Sequence, residues 1–107
     1  MAAMDYDYFV KQLNSGISVD EIRFEIIGDT EYNDCYIGYQ SPYEKPYWAG
    51  LCDIKDGCEF RTAKELVNAK IYRGKSIKEL WDRIELITLA GVCLEDWLKY
   101  FLHADLS

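Results

Sequence analysis

The chain has 107 residues, half of them apolar, and its nineteen acids against twelve bases give a net charge of −7. That length holds one domain around one core. Two prolines and seven glycines exclude collagen-like and Pro/Gly-rich disordered chains, and no apolar run approaches the roughly 20 residues of a membrane span.

The acidity belongs to the first half. Residues 1–58 carry eleven acids and four bases, whereas residues 59–107 carry eight of each. A net negative chain repels nucleic-acid phosphates at long range, so no direct nucleic-acid partner is expected, while a basic protein would be drawn to it. Met1-Ala2-Ala3-Met4-Asp5-Tyr6-Asp7 lacks both a basic and an apolar leader region. No secretory signal is therefore expected, and a reducing cytoplasm is the expected setting.

Tyr6, Phe9, Val10 and Leu13 follow the i, i+3, i+4, i+7 spacing of one apolar helix face. They predict a helix over 6–14, with Asp5 as its cap and Gly16 at its left-handed stop. Ser18-Val19-Asp20-Glu21 has the form of a capping box and predicts at most a single turn. The alternation of Ile22-Arg23-Phe24-Glu25-Ile26 predicts a half-buried strand.

Gly28 to Asp34 is turn chemistry, and Cys35 to Tyr39 reads as the return strand. Ser41 to Pro46 is a second connection, because its prolines have no place in a central strand. Tyr47 to Ile54 reads as a third strand, and Asp56-Gly57 signals a turn before a brief fourth at Cys58-Glu59-Phe60.

The period then changes from two to 3.6. Thr62-Ala63-Lys64-Glu65 is a capping box opening a helix that turns Leu66, Val67 and Ile71 inward and is broken by Gly74. A second capping box, Ser76-Ile77-Lys78-Glu79, precedes Leu80, Trp81, Ile84 and Ile87 at helical spacing and predicts a long helix. Gly91 interrupts it, and Leu94, Trp97, Leu98, Phe101 and Leu102 predict a last helix. Strands grouped before helices give an α+β fold: an N-terminal helix, a three- to four-stranded antiparallel meander, then two or three helices on one face of the sheet.

Chemistry-bearing patterns are sparse. Cys35, Cys52, Cys58 and Cys93 stand 17, 6 and 35 residues apart, and the sole histidine is His103. Zinc asks for closer ligand pairs, so buried thiols are expected and no metal. Asp53-Ile54-Lys55-Asp56-Gly57 and the 28–34 turn both miss the EF-hand order, which excludes calcium there. Gly74-Lys75-Ser76 resembles the end of a phosphate-binding loop, but Ala69 stands where the first glycine belongs, so no nucleotide cofactor is expected. Ser, Cys and His are nowhere spaced as a catalytic set, and His103 at a helix end suits the helix dipole. No catalytic residue is assigned.

The remaining signal is aromatic. Tyr32, Tyr36, Tyr39, Tyr43 and Tyr47 fall within sixteen residues, with Trp48 adjacent and Asp29, Glu31 and Asp34 on the neighbouring turn. Tyrosine combines a broad apolar body with a polar tip, which suits a protein interface, and loop tyrosines have no packing reason to be there. The expectation is a small, non-catalytic protein-binding module whose partner contacts are Asp29, Glu31, Asp34, Tyr36, Tyr43, Tyr47 and Trp48. A nucleic-acid mimic acting on a DNA- or RNA-processing protein is the alternative, with a small enzyme behind it. Self-association through an uncovered sheet face is also open.

Overall fold

The computed structural model describes residues 4–99. The first helix forms as α1 (Tyr6–Ser15), with Asp5 accepting from the Tyr8 N–H at 3.3 Å and Gly16 closing the end at φ +68°. Its apolar stripe buries Phe9 and Leu13. The strands follow as β1 (Ile22–Ile26), β2 (Cys35–Tyr39), β3 (Tyr47–Ala49) and β4 (Cys58–Phe60), each antiparallel to the one before it. Thr62 caps α2 (Ala63–Asn68), accepting from the Glu65 N–H at 3.1 Å.

Two expectations are corrected. The long helix after Ser76 does not form. Its capping box is present, with reciprocal 3.1 Å hydrogen bonds between Ser76 and Glu79, but α3 spans only Ile77–Leu80. A 3-10 turn (Trp81–Arg83) follows, and Ile84–Leu89 is a strand, β5. The reason is tertiary. The second edge of β1 needs a partner, and Ile84, Leu86 and Leu89 are buried while Glu85 and Ile87 face out. The β-branched residues Ile84, Ile87 and Thr88 suit a pleated strand better than a helix. The short β6 (Val92–Cys93) then pairs with β5, giving a six-stranded antiparallel sheet in the order β4-β3-β2-β1-β5-β6.

The strand expected over Tyr47–Ile54 ends at Ala49. The Gly50 N–H still bonds the Tyr36 carbonyl at 2.8 Å, but the chain then leaves the sheet, and the Asp53 N–H donates to the Ile71 carbonyl at 2.6 Å. Ile71 is buried as expected, although it lies beyond the end of α2. The last helix is present over 94–99, where Trp97 is buried and its indole N–H meets the Ser18 carbonyl at 3.4 Å. Phe101, Leu102 and His103 lie outside the described residues.

The described helices pack on one face of the sheet. Ile22, Phe24, Ile26, Cys35, Ile37, Tyr47, Ala49, Ile84, Leu86 and Leu89 point into that core, where Phe9, Leu13, Leu66, Ile77 and Trp97 meet them. Each large side chain so buried contributes about 1.5–3 kcal/mol relative to exposure. The alternate residues, Arg23, Glu25, Tyr36, Trp48, Glu59, Glu85 and Ile87, stand half-buried or exposed on the opposite face.

On that open face, Gly38 lies opposite Trp48 in the register. A Cβ on Gly38 would come within 2.2 Å of the Asp20 carbonyl oxygen and 2.6 Å of the Trp48 ring. A glycine in mid-strand is normally unfavourable, and here it makes room for the indole to lie across β2. Gly38→Ala is expected to cost about 1–3 kcal/mol by overpacking, read as a lowered urea midpoint with an unchanged m-value. An unchanged midpoint would mean that the indole does not hold this position.

Candidate functional site

The seven residues singled out in the sequence divide into three settings. Asp29 and Glu31 clasp an arginine at one end of the sheet. The Asp29 carboxylate accepts from the Glu31 and Tyr32 N–H groups at 2.9 and 3.0 Å, the closed turn that aspartate favours. Its other contacts are with Arg73, whose Nε donates at 2.6 Å and Nη2 at 3.2 Å. Glu31 reaches the same guanidinium at 3.3 Å, and the guanidinium lies over the Tyr32 ring, 5.3 Å from its centroid.

Arg73 is delivered by a two-residue turn. Tyr72 and Lys75 exchange backbone hydrogen bonds at 3.0 and 3.1 Å, and Arg73 and Gly74 both take positive φ, +55° and +76°. The Asp53 carboxylate holds that turn, accepting from the Arg73 N–H and the Gly74 N–H at 3.0 Å each and from the Tyr32 hydroxyl at 2.5 Å. The Arg73 guanidinium and two backbone N–H groups keep the Asp29 carboxyl well below its ordinary range. Hydrogen bonds from Tyr32, Arg73 and Gly74 outweigh desolvation and lower that of Asp53, while the Tyr32 phenol is pushed up to about 12 by the same contact.

Asp34 and Tyr36 form a second unit with Arg23, this one on the open face. Arg23 donates to Asp34 through Nε at 3.1 Å and Nη2 at 2.7 Å, and the Tyr36 hydroxyl donates to the second oxygen at 2.8 Å. The guanidinium also lies over the Tyr36 ring at 5.3 Å. The Arg23 bond, then that of Tyr36, lowers the Asp34 carboxyl, and the same carboxylate raises the Tyr36 phenol.

Tyr47 sits on the covered face. It is 5% exposed, its ring is 4.9 Å from that of Tyr39, and its hydroxyl donates to the Leu13 carbonyl at 2.7 Å, tying β3 to the end of α1. Trp48, next in sequence, points the other way. Its indole N–H is buried and has no acceptor among the described residues. Tyr43, on the β2–β3 loop, is 60% exposed. With Trp48 it borders a cleft of about 260 Å³ whose walls also include Lys45, Pro46, Asp56 and Glu59. The β2–β3 loop lies at the end of the sheet opposite the β1–β2 turn, so Asp29 and Glu31 do not share a patch with Tyr43.

Sequence reasoning did not assign Arg23, Gly38, Asp53 or Arg73 to the candidate site. The glycine inside an otherwise regular strand was the one signal that pointed to a close approach. The arginines are set by pairing across 11 and 44 residues, which no local pattern carries.

The thiols are free, with Cys35 buried, Cys52 and Cys58 partly so and Cys93 exposed. Burial pushes the Cys35 thiol up to about 12 and the Cys58 thiol up to about 11, so neither is a ready nucleophile at neutral pH. Among the described residues, no group of three or more Cys, His, Asp or Glu is arranged to hold a metal ion, and no helix is long and apolar enough to cross a membrane. These elements define an α+β fold whose antiparallel sheet is covered on one face by the described helices and, among the described residues, open on the other. Comparison with protein-family models, with curated proteins and with solved structures finds no match to this chain.

Two outcomes are expected. Carboxyls depressed in the folded state stabilise it fully above their unfolded pKa, near 4, and that contribution is lost as pH falls through the lower folded values. Urea midpoints measured from pH 6 down to 2.5 are expected to fall more steeply for the wild type than for Arg73→Gln, in which Asp29 loses its main partner. Parallel curves would remove the clasp from the account. Under native conditions at pH 8, a disulfide reagent such as DTNB is expected to titrate Cys93 first and Cys35 last, the latter only on unfolding. Four equal rates would contradict the burial.

Proposed function

We propose that this chain is a small, acidic, non-catalytic protein-binding module that docks a basic partner protein on the open face of its sheet. The observation that carries this reading is the composition of that face. Trp48, Tyr36 and Ile87, the last 38% exposed, stand among the carboxylates of Glu25, Asp34, Glu59 and Glu85 with Arg23 as the facing cation. Interface energy comes mainly from a few aromatic anchors, while charge sets encounter rate and partner choice. Asp34, Tyr36, Tyr43 and Trp48 are then the contact residues of the original set. Asp29 and Glu31 act by holding Arg73, and Tyr47 acts by fixing β3.

The reading includes a cytoplasmic, reducing setting, in keeping with four cysteines that stand as free thiols. Phosphate mimicry is the weaker account, because all three acids on the first turn are paired with arginines of the chain itself. Two copies stacking on this face are disfavoured by Glu25 and Glu85, which lie directly opposite each other in the register.

The test compares captured proteins from lysate, identified by mass spectrometry, between the wild type and a Tyr36→Ala, Trp48→Ala, Ile87→Ser variant shown by circular dichroism to be folded. A partner retained by the wild type, lost by the variant, and released by salt more readily than by DNA competitor is the expected result. Equal capture by both proteins sinks the open face as the docking surface. Competition by DNA would favour mimicry instead.

A further inference from the structure

A cleft of about 260 Å³ lies beside Trp48 on the open face. Four observations describe what it suits. First, the indole packs against the backbone of the neighbouring strand at Gly38, where a side chain would collide with its ring. An aromatic face held this way is pre-ordered for stacking and loses little freedom on binding. Second, Gly50 and Gly57 line the same cleft, so two backbone positions contribute no side chain to fill it.

Third, the charges at the wall are unbalanced. Glu59 lies directly opposite Trp48 across the β3–β4 ladder, and Asp56 stands on the turn that leads into β4. Neither carboxylate is in an ion pair among the described residues, although Glu44 nearby is bonded to Arg61 at 3.0 Å. Lys45 is the single cation at the wall. Fourth, Tyr43 supplies a second, freely exposed ring at the rim. Aromatic faces attract cations through the ring quadrupole, tryptophan most strongly, and carboxylates beside them bind a guanidinium or ammonium group while repelling phosphates and carboxylates. The volume is below that of the usual small-molecule site and suits one long side chain.

We propose that the cleft between Tyr43 and Trp48 is a subsite for a single basic side chain, arginine above all, presented by the partner protein. The inference rests on the reading of the open face as a docking surface for a basic protein. Arginine is favoured over lysine because its planar guanidinium stacks on the indole while its edge donates to Glu59 or Asp56.

The test is an NMR titration of the intact chain with a tetra-arginine peptide and with a tetra-citrulline peptide, which keeps the shape and removes the charge. The arginine peptide is expected to move the Trp48 indole N–H signal and the backbone signals of Asp56 to Glu59, while the citrulline peptide leaves them in place. Asp56→Asn with Glu59→Gln, a pair of isosteric changes at exposed positions, is expected to weaken binding by about 5- to 30-fold, the range for losing charge-assisted contacts of about 1–2 kcal/mol. Trp48→Leu is expected to abolish the response at Asp56 to Glu59. Equal shifts from both peptides overturn the subsite. Charge-dependent shifts confined to Glu25, Tyr36 and Glu85 also overturn it while leaving the open face as the docking surface. No shift anywhere in the chain overturns both.

Discussion

The Asp53 carboxylate joins three segments that the chain visits far apart. It receives the Tyr32 hydroxyl from the β1–β2 turn and the two backbone N–H groups of Arg73 and Gly74 from the turn before α3, while its own N–H donates to Ile71. Both residues of that second turn are in the left-handed region, where Arg73 pays a steric penalty that glycine does not. The carboxylate makes the conformation worthwhile by pairing its otherwise free donors. Much else follows from the position this gives the turn. Tyr72 enters the core edge-on to Phe24 and Tyr32, at 5.7 and 5.8 Å between ring centroids. Arg73 reaches Asp29, and α3 starts where it can pass β5 alongside β1.

That placement of β5 gives the molecule its asymmetry. With β1 paired on both edges, the sheet is wide enough to seat the described helices on one side, and the apolar alternates of β1, β2, β3 and β5 are used there. Among the described residues, no helix covers the other side. It is instead dressed by pairings of its own, the Arg23–Asp34–Tyr36 unit and the indole resting on Gly38. The half-buried rings of Tyr36 and Trp48 are thus held in place by contacts with the sheet itself.

Local signals carried much of this architecture. The first helix, the bounds of β1 and β2, and the caps at Thr62 and Ser76 could all be read from short patterns, because each is decided within a few residues. The segment from Ile77 to Ile87 could not. Its apolar residues fit a helical face, and only the vacant edge of β1, more than fifty residues earlier in the chain, decides for a strand. The glycines at 74 and 91 were legible as interruptions but not as tight turns, since the residue preceding each, Arg73 and Ala90, is not one that usually accepts positive φ. The candidate site was legible in composition and not in arrangement. The placing of Tyr47 on the covered face and of Tyr36 and Trp48 on the other, and the capture of Asp29 and Asp34 by arginines, depend on pairings that only the folded chain brings about.

The two borders of the sheet are short: β4 contributes three residues and β6 two. A strand from another molecule arriving at either border would find too few free backbone groups to form a lasting ladder, and Glu59 and Arg61 charge the longer one. Growth of the sheet from molecule to molecule, the route to fibrils, is therefore blocked at its ends rather than on its faces. The half-buried rings of Tyr36 and Trp48 can in this way stand on the broad side of the sheet without its borders inviting another strand.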